Sequence, residues 1–76
     1  MRKRRDLQEA IIKAIRSGLH EKGMTQRGLS DTLEEHKNYI NEILHRQHRV
    51  TLEEFIRIAE GLSMSPFDLL SRVLRP

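Results

Sequence analysis

The fold of this chain is decided by residues 25–44, TQRGLSDTLEEHKNYINEIL. Thr25 is a good helix N-cap, and Leu29 and Leu33 follow it on one face of a helix, four residues apart. After a break of three or four residues the helical spacing of apolar side chains returns, at Tyr39, Ile40, Ile43 and Leu44. The stretch therefore predicts two short amphipathic helices joined by a turn.

Polar side chains occupy the outer face of the second of these helices. They are His36, Lys37, Asn38, Asn41, Glu42 and His45. An asparagine amide can pair with the edge of adenine, a lysine with guanine or a phosphate, and a glutamate with the amine of cytosine. This pattern favours a helix-turn-helix whose second helix lies in the major groove of DNA, and an ordinary solvated helix face is the alternative.

A further helix is predicted before this stretch. It runs from its N-cap Asp6 to about His20, and Gly23 stops it. Its apolar stripe consists of Leu7, Ala10, Ile11, Ala14, Ile15 and Leu19. The two helices of the quoted stretch should then cover about residues 25–33 and 36–45.

Two more helices are predicted after residue 50. Thr51 and Glu54 stand three residues apart, as in a capping box, and Ser65 caps the last helix with Pro66 at its first position. The apolar face of the first of these two helices is Leu52, Phe55, Ile56, Ala59 and Leu62, and that of the second is Phe67, Leu70, Val73 and Leu74. Since the sequence shows no strand alternation and no internal repeat, we predict an all-α fold of five short helices.

Composition narrows the class of protein. A chain of 76 residues can form one small domain whose core is marginal without a partner, so we expect a homodimer. The absence of cysteine excludes disulfides, thiolate metal sites and a cysteine nucleophile, and it suits a reducing cytoplasm. The apolar runs are short and the mean hydropathy is −0.62, so we predict a cytoplasmic protein without a membrane span.

Positive charge is concentrated in two segments. The first is a basic arm, residues 1–5, and the rest of the chain, residues 6–76, forms the predicted domain. The arm holds Arg2, Lys3, Arg4 and Arg5, and without these four the chain has ten basic residues against 11 acidic ones. The second segment runs from His36 to Arg49 and contains Lys37 and Arg46. Such clustering is typical of a phosphate-binding surface, although a basic arm can also be only a solubilising tail.

The sequence resembles the lambda repressor/Cro-like, or Xre, family of DNA-binding domains over roughly residues 7–70. The start of the family's second helix looks like residues 23–26, GMTQ, and its fourth helix is similar to residues 51–62. The chain departs from the family in the turn, where the family usually has a glycine followed by an apolar residue and this chain has Glu34 and Glu35. Glycine suits a positive φ there, so Glu34 is expected to cost about 1 kcal/mol or to shift the turn.

The resemblance implies a sequence-specific DNA-binding transcriptional regulator, a repressor in a bacterium or phage, that binds a palindromic operator in double-stranded DNA as a homodimer and needs no cofactor. A reading position of the family falls on Asn38, and the base-reading residues are then Lys37, Asn38, Asn41 and Glu42. The phosphate-binding residues are Arg2, Lys3, Arg4, Arg5, Gln26, Arg27, His36, Tyr39, His45, Arg46 and Arg49. Separately, the apolar stripe of the last helix, which a chain this short can bury only in part, predicts a dimer interface at Phe67, Leu70, Val73 and Leu74. Tyr39 is interpreted as a packing residue whose hydroxyl is free to reach a phosphate.

Other functions have less support in the sequence. The adjacent carboxylates Glu34 and Glu35 would repel phosphates, which favours a protein-interaction module or antitoxin that binds a toxin or RNA polymerase. His45 and His48 have a metal-like spacing, but no cysteine and no carboxylate at ligand spacing completes a site, so no metal is expected. The serines lie at helix caps or on helix faces with no spacing that suggests a catalytic triad, and an enzyme is not expected.

Overall fold

This computed structural model describes residues 6–75, which form five α-helices joined by turns and short loops. They are α1 (Leu7–Lys22), α2 (Gln26–Thr32), α3 (Tyr39–Leu44), α4 (Leu52–Gly61) and α5 (Pro66–Leu74). No strand occurs in this range, which confirms the predicted all-α fold. None of these helices is long and apolar enough to cross a bilayer. The basic arm predicted at residues 1–5 lies outside the described residues.

Local side-chain caps begin the helices where the sequence indicated. The carboxylate of Asp6 accepts the backbone N–H at the third position of α1, at 3.1 Å, and the hydroxyl of Thr25 does the same for α2, at 2.9 Å. Thr51 and Glu54 form the reciprocal capping box predicted for α4. Gly23 ends α1 with a φ of 62°, a conformation that glycine adopts without steric cost. These predictions are confirmed.

The third helix is shorter than predicted. It begins at Tyr39 instead of about His36, so the break after α2 covers residues 33–38 instead of three or four residues. The reason is Glu34, whose φ of 58° turns the chain sharply away from the axis of α2. Consequently Lys37 and Asn38 lie in the turn before α3, and only the later part of the predicted reading face is helical.

One apolar core is shared by all five helices. Its fully buried members include Ile15 of α1, Leu29 of α2, Ile40 and Ile43 of α3, Ile58 of α4 and Leu69 of α5. α1 packs mainly against α5, and α2 packs mainly against α3. Leu7 in the first turn of α1 and Leu52 at the start of α4 lie outside this core.

Three residues predicted for the apolar stripes of α1 and α4 are exposed. They are Leu7, Leu52 and Ile56. The buried face of α4 repeats at Phe55, Ile58, Ala59 and Leu62, so it is centred one position away from the predicted face and includes Ile58, which we did not predict. In α1 the unpredicted Ile12 is likewise buried. The prediction of these faces was therefore wrong in part.

Candidate nucleic-acid interface

The beginning of α2 and the turn before α3 enclose an open groove. Its lining consists of Thr25, Gln26, Arg27, Lys37, Asn38 and Asn41. Five of these six are predicted DNA-binding residues, and three of the five are predicted to read bases. The groove thus brings phosphate-binding candidates from α2 next to base-reading candidates from the turn and α3.

A direct hydrogen bond joins the two sides of this groove. The Asn41 side-chain amide nitrogen donates to the Gln26 Oε1, at 3.0 Å. Because the Gln26 oxygen is used in this bond, the amide nitrogen of Gln26 still has its donors for a phosphate. Gln26 is also the first residue of α2, where unpaired backbone N–H groups and the helix dipole favour an anion. The bond therefore orients one candidate of each class toward the same side of the domain.

Asn38 keeps its side chain free. It occupies the N-cap position of α3, yet its side chain makes no capping bond, and its φ of −98° and ψ of 6° differ from the extended conformation that capping residues adopt. The side chain is exposed on the groove. A free amide at this place is available to pair with a base edge.

The arginines and the lysine predicted to contact DNA within residues 6–75 fall into two groups. Within residues 6–75, Arg27, Lys37 and Arg49 have no ion-pair partner. Arg46, by contrast, donates to the carboxylates of Asp6 and Glu9 at 3.1 and 2.9 Å. Arg27, Lys37 and Arg49 are therefore available to bind a phosphate, whereas a phosphate would have to compete with Asp6 and Glu9 for Arg46.

The carboxylate of Asp6 has a low pKa as a result of its partners. The backbone N–H of Glu9 lowers this pKa most, desolvation opposes the effect, and the charge and hydrogen bond of Arg46 lower the pKa further. The side chains of Asp6 and Arg46 are both exposed, so the ion pair between them contributes little to stability. Its main effect is to hold the loop after α3 against the start of α1.

Two predicted contact residues are paired with each other. His36 lies 3.4 Å from a carboxylate oxygen of Glu42, and the ring of His45 lies 2.8 Å from the backbone oxygen of Asn41. Both histidines are exposed. Glu42 can still accept from a base, but the approach of His36 reduces its freedom.

The prediction for the hydroxyl of Tyr39 was wrong. The side chain is buried, which confirms its packing role, but the hydroxyl donates to the Oε2 of Glu54 at 2.6 Å and is not free for a phosphate. Burial, and then this bond, raise the pKa of Tyr39 above its usual value. The cause is the position of α4, which places a carboxylate directly beside the first residue of α3.

Glu54 has a larger role than the cap that the sequence indicated. Its Oε2 accepts from Tyr39 and lies 2.6 Å from the Nε2 of His48, while its Oε1 accepts from the backbone and hydroxyl of Thr51 at 3.0 and 3.1 Å. Burial alone would raise the pKa of Glu54, but the bonds from Tyr39, Thr51 and His48 outweigh it and lower the pKa to about 2. One carboxylate thus holds α3, the following loop and α4 together. The capping box was visible in the sequence, whereas the contacts with Tyr39 and His48 were not.

The two carboxylates of the turn are not equivalent. Glu35 accepts from Arg57 of α4 at 3.2 Å, and the same guanidinium donates to the backbone oxygen of Leu33 at 2.8 Å. Glu34 remains exposed. One of the two charges that would repel phosphate is therefore neutralised by an internal partner, which weakens the argument for a pure protein-interaction module.

No metal site is formed by the described part of the chain. Among residues 6–75 no group of three or more histidine, aspartate or glutamate side chains is placed to hold an ion. His48 contacts Glu54, and His45 contacts the backbone of its own helix. The two histidines whose spacing resembled a metal site have separate partners.

An apolar groove lies on the surface between α1, α4 and α5. Its exposed members are Leu7, Leu52, Leu70 and Leu74. Phe67, also predicted for the dimer interface, is 83% exposed one helical turn before Leu70. Val73 was predicted for the same interface, but it is only 4% exposed, because it follows Leu69 by four residues on the inward face of α5. That part of the prediction is corrected: Val73 is a core residue.

Comparisons with known proteins identify the family of this fold and several similar structures. A family model described as helix-turn-helix matches residues 12–69. The structure is similar to the clp gene regulator ClgR from C. glutamicum, with a TM-score of 0.81 and 27% identity over 92% of this chain and 91% of that chain.

Two other solved structures are also similar. The wild-type restriction-modification controller protein C.Esp1396I has a TM-score of 0.79 and 26% identity, over 96% of this chain and 99% of that chain. The hypothetical transcription factor NHTF from Neisseria has a TM-score of 0.77 over 86% of this chain and 75% of that chain, and at 20% identity it shows the fold alone. No curated protein matches the chain.

Proposed function

The chain belongs to the lambda repressor-like, or Xre, helix-turn-helix family and is a DNA-binding transcriptional regulator, and from that premise we propose that it represses transcription by binding a palindromic operator as a homodimer. The observation that carries the proposal is the groove between α2 and α3. It presents the free amide of Asn38 and the donors of Gln26 on one surface, so that a base edge and a phosphate can be contacted together.

The proposed contacts divide into two classes. Base edges in the major groove are contacted by Asn38 and Asn41, with Lys37 and Glu42 beside them. Phosphates on either side are contacted by Gln26, Arg27 and Arg49, and by the arginines and lysine of the basic arm, residues 2–5. His36, His45 and Arg46 belong to the second class only to the extent that DNA displaces their internal partners.

The apolar groove supports the homodimer. Leucines at 42% and 56% exposure on α5, next to the more exposed Leu52, form a surface that water solvates poorly. A second copy of the chain, related by a two-fold axis, would bury the same leucines on both sides. Such a contact would set two α3 helices about 34 Å apart, which is one turn of DNA.

The test of the proposal is DNA binding measured against salt. Gel shifts with random genomic fragments at two salt concentrations should give a logarithmic slope of about −0.9 for each phosphate contacted, and removal of residues 1–5 should make that slope shallower. Duplexes selected by the protein from a randomised library should carry an inverted repeat with half-sites one turn apart. Salt-independent binding, or selected sites without a repeat, would contradict DNA binding and the palindromic operator respectively.

A further inference from the structure

The recognition helix α3 lacks a cap of its own. The first backbone N–H groups of any helix have no partner inside that helix, and a side chain at the N-cap usually satisfies one of them. Asn38, at the N-cap of α3, makes no such bond. The backbone N–H of Ile40 is nevertheless buried, in a residue that is 0% exposed. A buried amide without a partner is unfavourable, so another group must supply the acceptor.

That acceptor is the hydroxyl of Ser30 on the neighbouring helix. The N–H of Ile40 donates to the Ser30 Oγ at 3.1 Å, and the hydroxyl in turn donates to the backbone oxygen of Gln26 at 3.0 Å. Ser30 is the sole buried polar side chain within residues 6–75, and it is 0% exposed. Both the donor and an acceptor site of its hydroxyl are therefore used at the junction of α2 and α3.

Packing alone does not explain a serine at this position. A hydroxyl buried in a core costs free energy unless it is bonded, and alanine is the better helix former. The bond to Gln26 could satisfy the hydroxyl of Ser30, but it would not satisfy Ile40. The serine is explained by the second bond, which crosses between the two helices.

We propose that Ser30 is a positioning residue for DNA reading, because its hydroxyl caps α3 from the neighbouring helix and thereby leaves the side chain of Asn38 free to contact a base. This inference rests on the proposed function. Two bonds then link α2 to α3: a buried one that the N–H of Ile40 donates to Ser30, and an exposed one that the amide of Asn41 donates to Gln26. Both links involve Gln26, because the hydroxyl of Ser30 donates to the Gln26 backbone oxygen and the amide of Asn41 donates to the Gln26 side chain. Together they fix α3 relative to the predicted phosphate contact, as precise recognition requires.

The first test uses the variant Ser30→Ala and two DNA probes. One is a duplex carrying the preferred site that the wild-type protein selects from a randomised library, and the other is a scrambled duplex of equal length and composition. Affinity for the preferred duplex should fall roughly tenfold, as for the loss of one base contact, while affinity for the scrambled duplex stays within about twofold. Equal losses on the two probes, or no loss on either, would overturn the positioning role.

A matched control separates positioning from stability. Ile58→Val removes a small group from a 0% exposed residue of α4 and makes a comparable core defect away from the α2–α3 junction. At a temperature where all variants are folded, it should leave the ratio of the two affinities unchanged. If Ile58→Val lowers the ratio as much as Ser30→Ala, loss of stability explains the effect and the inference is wrong. Ser30→Cys, which keeps a side chain of similar size with a weaker acceptor, should give an intermediate loss and serves if the alanine variant does not fold.

Amide hydrogen exchange tests the cap without DNA. In the wild-type protein the N–H of Ile40 should exchange much more slowly than that of Asn41, its neighbour in the same turn, and Ser30→Ala should remove most of this difference. Fast exchange at Ile40 in the wild-type protein would overturn the cap itself. A wild-type protein that prefers no duplex, but protects Ile40, would instead overturn the proposed DNA reading and leave the cap in place.

Discussion

The side chain of Asn38 makes no capping bond, because its backbone is not in the conformation of a capping residue and Ser30 supplies the acceptor for α3 in its place. We predict that Asn38→Ala costs about 1–3 kcal/mol on the preferred DNA site, because a bidentate contact with a base is lost, and leaves non-specific binding nearly unchanged. Gel-shift titrations on preferred and scrambled duplexes measure both quantities. Arg27→Ala is the comparison, since loss of a phosphate contact should weaken binding to both duplexes alike and reduce the salt slope by about one. The same pattern for Asn38→Ala would reassign that residue to phosphate.

Glu54 gives the protein a predictable response to acid. Its pKa is lowered from about 4.5 to about 2, so its contribution to stability is present above pH 4.5 and is lost as the pH falls through 2. Glu54→Gln should lower the free energy of unfolding at pH 7 by up to about 3 kcal/mol. It should also make the decrease in stability between pH 4.5 and 2 shallower than in the wild-type protein. Urea unfolding at several pH values measures this.

The control for Glu54 is its neighbour in the first turn of α4. Glu53 is exposed, and its side chain has no hydrogen bond or ion pair within residues 6–75. Glu53→Gln therefore removes the same charge from the same helix end without breaking the contacts of Glu54 to Tyr39 and His48. A similar change in both variants would mean that the helix dipole, and not the cluster around Glu54, is responsible.

Residues whose partners are close in sequence could be placed from the sequence. Asp6 and the pair of Thr51 and Glu54 bond groups three residues away, so a local rule was enough. The hydroxyl of Tyr39 bonds a residue 15 positions away, and Arg46 bonds one 40 positions away. These contacts depend on how the helices pack, and no local pattern predicts them.

At the scale of the elements, four helices end in the same way. After each of them a residue with positive φ reverses the chain: Gly23, Glu34, Arg46 and Ser63. At the end of α2, the N–H of Glu34 bonds the oxygen of Asp31 and the N–H of Glu35 bonds the oxygen of Ser30, which is the Schellman arrangement. Glycine suits that position, yet only one of the four ends has it. The strain at Glu34 could be predicted because the resemblance places a glycine there, whereas nothing in the sequence around Arg46 and Ser63 indicates a positive φ.

This geometry makes a stability prediction for the turn before the recognition helix. Glu34→Gly should raise the free energy of unfolding by about 0.5–1 kcal/mol, since glycine adopts a φ of 58° without a clash of its Cβ. Chemical denaturation measures the change. Glu34→Ala removes the same charge but keeps the Cβ, so an equal gain in that variant would assign the effect to charge and contradict the backbone explanation.

The helix faces show where sequence periodicity stops being sufficient. Periodicity identified α4 but placed its inner face one position away, because Leu52 and Ile56 are as apolar as the buried Ile58. The same ambiguity affects α5, where Leu69 and Val73 point inward and Leu70 and Leu74 point outward. When a helix has apolar residues on two adjacent faces, the sequence does not tell which face is buried. In α5 the packing of α1 against it selects the face that is buried.

For the whole molecule, the leucines left outside the core favour a second copy. Leu70 and Leu74 of α5 line the apolar groove. A domain of this size buries little apolar surface on folding, so leaving these leucines in water is costly relative to its stability. We predict that the double variant Leu70→Lys, Leu74→Lys remains helical but is monomeric, because a two-fold contact would bring four like charges together. Its affinity for a full palindromic site should fall far below that of the wild-type protein, because in the proposed dimer two recognition helices bind as one unit.

Sedimentation at micromolar concentration and gel shifts on the full site measure the two effects of the double variant. The control is Glu60→Lys, which raises the charge of each subunit by the same amount at an exposed position in the last turn of α4. Because added positive charge strengthens contacts with phosphates, Glu60→Lys should bind DNA at least as tightly as the wild-type protein and keep its dimer. A wild-type protein that sediments at 9.0 kDa, with a double variant that binds the full site as well as Glu60→Lys does, would contradict the dimer. Each subunit would then read its half-site independently, and the leucines of α5 would need another partner.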